Sequence, residues 1–217
     1  KEAGKKLVFK GGTALYKLHS LNRFSEDLDF TLDSAKFGVN GIFAKIMKRL
    51  KNIGVNGRVK EISDYRDQKN IRLELRGPLF DGNIKNISVI SVNISLKEKP
   101  LYEPEQRKIC TQYADIPAFD VFMMPLNELL AEKVRALLTR DKARDVYDVW
   151  FLLSKGAKLN IKDVNKKLKK YGASFSRKSF MGKVDEKEKF WKSDLGSLVI
   201  GELPDFGAVR KSILDKL

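Results

Sequence analysis

Apolar positions along the chain follow two different rhythms. Through Leu96 they come in short runs, several alternating with polar residues as half-buried strands do. Leu7 to Lys10 is an apolar run ending at Gly11-Gly12, Thr13 to Ser20 has helical spacing, and Asp27 to Leu32 alternates strictly. Gly41 to Asn52 places Ile42, Phe43, Ile46 and Leu50 on one side of a helix. Strands are expected at Arg58 to Tyr65, Ile71 to Arg76 and Ser88 to Leu96. Ile71, Leu73 and Leu75, then Ile90, Val92, Ile94 and Leu96, fall on the buried faces of the last two, and Asp81-Gly82-Asn83 marks a turn between them. From Pro125 the period becomes helical, with helices predicted at Leu126 to Thr139, Arg144 to Lys155, Lys162 to Tyr171, Arg177 to Lys192 and Phe206 to Leu217. Tyr102 to Pro117 reads as the connection, with room for one more strand. The pattern predicts an α+β protein, with a sheet core over residues 1–118 and a helical region over 119–217.

Composition narrows the chemistry. In 217 residues there are 43 Lys and Arg against 28 acids, a formal charge of +15 that favours polyanionic partners or serves general solubility. Thirteen Phe, six Tyr and two Trp imply a substantial core. One cysteine, Cys110, excludes an internal disulfide and a cysteine-based zinc site. One histidine, His19, leaves no His cluster and no Ser–His–Asp triad, so any metal is expected to be a hard cation on carboxylates. No stretch approaches 18 apolar residues. Neither a spanning helix nor a secretory signal is expected, and the expected compartment is the cytoplasm. The chain begins at Lys1 rather than Met, as a trimmed or fragmentary N-terminus would.

Two local features carry chemistry. Asp27 and Asp29 stand two apart in a strand, so their carboxylates share a face and repel unless a cation lies between them. Gly11-Gly12-Thr13, between a strand and a helix, offers backbone N–H groups to a phosphate. Together, about fifteen residues apart, they suit metal-assisted phosphoryl or nucleotidyl transfer.

Phe9-Lys10-Gly11-Gly12-Thr13-Ala14-Leu15 and Arg23-Phe24-Ser25-Glu26-Asp27-Leu28-Asp29-Phe30, with Glu132-Lys133 through Arg144-Asp145-Val146-Tyr147-Asp148, resemble the AbiEii/AbiGii toxin nucleotidyltransferases. These belong to the DNA polymerase β-like nucleotidyltransferase superfamily. The resemblance covers the sheet core and first helical pair better than the last 60 or so residues. It implies a nucleotidyltransferase-like mixed sheet with flanking helices, and a toxin of a toxin–antitoxin system with a cognate antitoxin protein. It also implies Mg²⁺ or Mn²⁺, a nucleoside triphosphate as substrate, and RNA, in several members the tRNA 3′ end, as acceptor. By position, Asp27 and Asp29 would bind metal and catalyse, and Gly11, Gly12 and Thr13 would hold the triphosphate, with Ser25 a further phosphate contact. Lys133 would contact phosphate, and Asp145 would be a catalytic or structural acid; the nucleotide would sit between sheet core and helices.

Helical projection adds an independent point. Lys133 falls inside the apolar stripe of Leu126, Leu129, Leu130 and Leu137, where an unpaired ammonium is costly, so it must meet an anion. Asp145 and Asp148 are the nearest candidates. Both a structural ion pair and a lysine reaching phosphate fit, while Glu128, Glu132, Arg135 and Thr139 are expected on the opposite side. Asn93 stands where polymerase β-like enzymes place a third carboxylate, with Glu74 a weaker substitute. An amide contributes an oxygen but neither charge nor a base. Three readings follow: no acid is required there, the toxin has been silenced, or the enzyme is weakened but still binds nucleotide. A kinase-like toxin acting on protein, and an RNA- or nucleotide-binding module with a degenerate site, are the alternatives.

The basic stretch Lys162 to Lys192, with Lys166, Lys167, Lys169, Lys170, Arg177, Lys178 and Lys183 among Tyr171, Phe175 and Phe180, is either a solvated face or a phosphate-backbone surface. Arg23 is expected to position the carboxylate strand, Cys110 to be a half-buried strand residue, and Met123 and Met124 to pack in the core. His19, Lys17 and Arg140 are expected at the surface.

Overall fold

Hydrophobic alternation in the first half of the chain folds into one mixed sheet, and the helical period of the second half into a bundle. The computed structural model describes residues 3–33, 38, 40–65, 67–96, 98–111, 113 and 116–217. Two compact units result. One contains Lys1–Ala14, Glu26–Pro100 and Pro104–Met123; the other contains Leu15–Ser25, Leu101–Glu103 and Met124–Leu217.

The sheet unit has strands β1 (Leu7–Lys10), β2 (Leu28–Leu32), β3 (Asn56–Tyr65), β4 (Gln68–Arg76), β5 (Ser88–Ser95), β6 (Glu105–Ile109) and β7 (Phe119–Met123), in spatial order β3-β4-β5-β2-β1-β7-β6. β2 runs parallel to β5 and β1 parallel to β7, while the remaining neighbours are antiparallel. Alternation sends Leu32, Ile71, Leu73, Val92 and Ile94 to one face. There they pack with Phe43, Ile46 and Met47 of helix α2 (Asn40–Asn52). The opposite face is polar and carries Asp29, Asn93 and Asn70 in one register row. The expected connection at Tyr102 to Pro117 holds β6, and β7 follows it. Each has only five residues, β6 largely exposed and β7 buried only at Met123, which leaves little apolar alternation to read. Cys110 lies just beyond β6 and is exposed rather than half-buried in a strand, and Leu96 ends outside β5 at the surface. Met123 and Met124 are buried as expected.

Helix α1 (Gly11–His19) begins in the sheet unit and ends in the helical one. The helical unit continues with α3 (Leu126–Thr139), α4 (Arg144–Ser154), α5 (Ile161–Leu168), α6 (Arg177–Asp185), α7 (Trp191–Leu195) and α8 (Phe206–Leu214). Side-chain oxygens of Asn160, Ser176 and Asp205 accept from the first free N–H groups of α5, α6 and α8, which sets where each begins. α3 packs against α4, α5 and α6. Being the central helix, it buries residues on all sides, Glu128 and Glu132 included. Trp191 closes the α4 side, stacking edge-on to Phe206 and donating to the Pro204 carbonyl at 2.9 Å.

Candidate active site

In the sheet unit Asp29 meets the glycine turn, whereas Asp27 precedes β2, which begins at Leu28, rather than lying within the strand as expected. The register pairs Lys10 with Asp29 across β1 and β2, and α1 starts at the next residue, Gly11. Gly11 has φ +78°, a left-handed conformation that favours glycine. A Cβ there would collide with Asp29 Oδ2. The double-glycine turn is therefore folded directly against the carboxylate, and Gly11 is required for both backbone and space. Gly12 and Thr13, in the first turn of α1, are buried. The Thr13 hydroxyl donates to the Asp27 carbonyl at 2.6 Å, tying the helix start to the strand start.

Asp29 Oδ1 accepts from Asn93 Nδ2 at 3.1 Å, as the Asp29–Asn93 pairing of β2 and β5 directs. Asn93 thus occupies the position expected for a third carboxylate. Glu74 does not substitute for it, because its carboxylate is held by Arg58 and Lys60. Asp27 and Asp29 are both half-buried, and among the described residues neither forms an ion pair. Carboxylates that share a site repel one another unless a cation lies between them. The two carboxylates would supply oxygen donors suited to one hard divalent ion completed by water and phosphate oxygens, with the Asn93 amide holding Asp29 in place. Among the described residues no cluster of three or more His, Cys, Asp or Glu side chains could hold a metal.

The other sequence-selected residues lie in the helical unit. Lys133, buried in the α3 stripe, meets anions as its position demanded: Nζ is 2.6 Å from Asp148 Oδ2 and 3.6 Å from Asp145 Oδ1. Arg23 grips Asp148 through two bonds of 2.6 Å, from Nε and Nη2. Arg140 grips Asp145 through Nε at 2.6 Å and Nη2 at 2.7 Å. Burial alone would push the Asp148 carboxyl up, but the charges of Lys133 and Arg23 and their hydrogen bonds hold it below its ordinary value. Arg23 was expected to position the carboxylate strand. Its side chain instead clamps Asp148, 125 residues away, while its backbone bridges Val199. Ser25 follows it in an irregular, partly exposed segment.

A second ionic cluster escaped the sequence reading. Glu128, Glu132 and Lys167 are buried together, with Lys167 Nζ 2.9 Å from Glu128 Oε1 and 2.8 Å from Glu132 Oε1. Glu128 also accepts the backbone N–H groups of Leu101 and Tyr102, at 3.0 and 3.3 Å. Burial would lower the Lys167 ammonium, yet the charges of Glu132 and Glu128 raise it above its ordinary value. The i, i+4 spacing of the two glutamates was visible, but one helix does not reveal which neighbour covers its polar side. Lys167 and Lys187 are thereby withdrawn from the basic stretch, since Lys187 is also buried and pairs with Asp141.

The fold of this chain is similar to that of known structures. JHP933 from Helicobacter pylori superposes with a TM-score of 0.58 at 21% identity, covering 97% of this chain and 82% of that one. MenT4, a nucleotidyltransferase toxin from Mycobacterium tuberculosis H37Rv, gives a TM-score of 0.65 at 19% identity, covering 98% and 74%. No curated protein sequence matches the chain. The fold is thus that of nucleotidyltransferase toxins. Residues 1–212 match the family described as nucleotidyl transferase AbiEii toxin, type IV TA system, and the chain belongs to that family.

Proposed function

We propose that this toxin transfers a nucleoside monophosphate from a nucleoside triphosphate to an RNA acceptor, the 3′ end of tRNA, using Mg²⁺ or Mn²⁺. The single observation that carries the reading is the close approach of the Gly11 turn to the Asp29 carboxylate, which supports a phosphate-binding turn acting beside a metal-binding carboxylate. In the proposed reaction the acceptor hydroxyl attacks the α-phosphorus and gives up its proton to solvent, a new P–O bond forms, the bond to the β-phosphate breaks, and pyrophosphate leaves with the bonding electron pair. A bound divalent ion would supply Lewis-acid stabilisation of that charge. Asp27 and Asp29 would hold it, with the Asn93 carboxamide fixing the orientation of Asp29. Gly11 and Gly12 would offer backbone N–H groups to the triphosphate, and Thr13 would hold the turn closed through the Asp27 carbonyl.

Lys133 and Asp145 enter as positioning residues, since their charges are compensated by Asp148, Arg23 and Arg140 inside the helical unit. Ser25, which resembles the family's phosphate contact, has no partner role beyond that proposal. Among the described residues no helix is long and apolar enough to cross a membrane. With RNA as acceptor the proposed setting is the cytoplasm, with an antitoxin protein encoded to restrain the enzyme.

Product mass tests the reading against its kinase alternative. Total tRNA incubated with the chain, Mg²⁺ and each nucleoside triphosphate is expected to gain one or more nucleotides, whereas a phosphate added to protein would establish the kinase reaction instead.

A further inference from the structure

The polar face of the sheet extends well beyond Asn93. Alternation along β4 puts Asn70, Arg72, Glu74 and Arg76 opposite the core residues Ile71 and Leu73, and the register sets Asn70 beside Asn93 and Asn93 beside Asp29. On the edge strand β3, Arg58 pairs with Glu74 and Asn56 with Arg76, and a register shift between Val59 and Glu61 accommodates Lys60. Glu74 is nearly buried and fixes two outward cations. Lys60 Nζ lies 2.5 Å from its Oε1, and Arg58 reaches its Oε2 through Nε at 2.9 Å and Nη2 at 2.7 Å. The Arg58 side chain is nevertheless 70% exposed and that of Lys60 47%. Hydrogen bonds from Lys60 and then Arg58 hold the Glu74 carboxyl below its ordinary value, so it stays ionised and keeps both cations in place. Arg76 is exposed, its guanidinium 5.3 Å from the Phe80 ring centre. Asn56, Gly57, Arg58, Glu74 and Arg76 line a cavity of about 240 Å³. Arg58, Lys60, Arg72 and Arg76 outnumber Glu61 and Glu74 on this face, leaving excess positive charge around a concave site.

We propose that the Arg58–Arg76 cavity and the adjoining Arg72 bind backbone phosphates of single-stranded RNA. The inference rests on the reading of RNA as acceptor. The chemistry is that of phosphate recognition. Arginine forks suit phosphate oxygens, a carboxylate-pinned Arg58 loses little side-chain entropy on binding, and the cavity has the volume of several waters. Position supports it too. With strands about 4.8 Å apart, Asn70 lies roughly 10 Å across the sheet from Asp29, and Arg72 and Arg76 follow about 7 and 20 Å farther along β4. An RNA strand with its end at the aspartates would pass over both arginines within a few nucleotides.

The test is binding of a fluorescein-labelled single-stranded RNA, about 20 nucleotides long, measured by anisotropy across a KCl series. Each lost phosphate contact lowers the slope of log affinity against log salt by about 0.7. Arg58→Gln/Arg76→Gln is expected to lower it by about 1.4 and to weaken binding several-fold at low salt, with an unchanged circular dichroism spectrum. Arg72→Gln/Arg76→Gln, which leaves the Glu74 pairs intact, is expected to do the same. An unchanged slope in both variants, or no RNA binding by the unaltered chain, overturns the proposal. So does polyglutamate competing as well as RNA, which would make the site one for acidic peptides. Nucleotidyl transfer plays no part in the readout. A chain that transfers nothing yet shows the arginine-dependent slope keeps this site and loses the proposed activity.

Discussion

Asn93 donates from Nδ2 to Oδ1 of Asp29 at 3.1 Å, across the parallel pairing of β5 with β2. The amide fixes one oxygen of a carboxylate whose other oxygen lies against Gly11. A neutral side chain in this place keeps the local charge at two carboxylates. Replacing it with a third removes a hydrogen bond and adds a like charge. Asn93→Asp is expected to destabilise the metal-free protein by about 1–3 kcal/mol. Mn²⁺ should restore the loss and bind about tenfold more tightly than to the unaltered chain. Thermal melts with and without Mn²⁺, and calorimetric titration of Mn²⁺, check both.

Gly11 separates backbone strain from contact with the site. Gly11→Ala puts a methyl group where Asp29 Oδ2 stands, and is expected to abolish both divalent-ion binding and transfer. Gly4→Ala is the matching control, with φ +51° and nothing within 4 Å of the added carbon. Both variants carry the left-handed penalty of about 1 kcal/mol, so the control should lose that stability and keep its metal affinity.

The Arg23–Asp148–Lys133 cluster gives a pH dependence of known sign. Asp148 is held below its ordinary carboxyl value, so as pH falls the unfolded chain takes up the proton first. Its contribution is therefore complete above about pH 4 and is lost as pH falls through the lower, folded value. Asp148→Asn leaves Arg23 and Lys133 buried without their carboxylate and should cost about 3–5 kcal/mol at pH 7. Denaturant titrations between pH 7 and about pH 3 are expected to show that difference shrinking on the acid side.

Adjacent lysines on α5 should behave in opposite ways. Lys167→Met strands Glu128 and Glu132 in the interior and is expected to cost about 3–5 kcal/mol. Lys166→Met removes a side chain that is 64% exposed and pairs with Asp163 at 3.5 Å, and should change stability by less than about 1 kcal/mol. The Lys167 ammonium is raised in the folded protein, so its contribution is complete at neutral pH and is lost only as pH rises above about 10.5. Paired melting curves of the two variants at neutral pH decide the comparison.

What the sequence disclosed depended on how local each signal was. Helix α3 was legible to the residue, because Pro125 opens it and its apolar stripe runs its length with Lys133 as the one exception. Strand β2 and the partnership of Asn93 with Asp29 were legible because strict alternation leaves one polar face per strand. The need of Lys133 for an anion followed from its place in the stripe, although Asp148 rather than Asp145 is its nearer partner. Strands β6 and β7 were not legible, since β6 is largely exposed and each has only five residues in which to show alternation. Nor was the grip of Arg23 on Asp148, because no local pattern links residues 125 positions apart. Glu128 and Glu132 looked solvent-facing for the same reason: Lys167, the residue that buries them, comes from another helix.

Label transfer from nucleoside triphosphates carrying a labelled α-phosphate to total tRNA, with Mg²⁺, tests the central claim most directly. The unaltered chain is expected to label tRNA from at least one nucleotide, and Asp27→Ala and Asp29→Ala to abolish that label while keeping the native circular dichroism spectrum. Label that persists in both variants, or that never enters RNA with any of the four nucleotides, would contradict the assignment of Asp27 and Asp29 as the catalytic centre.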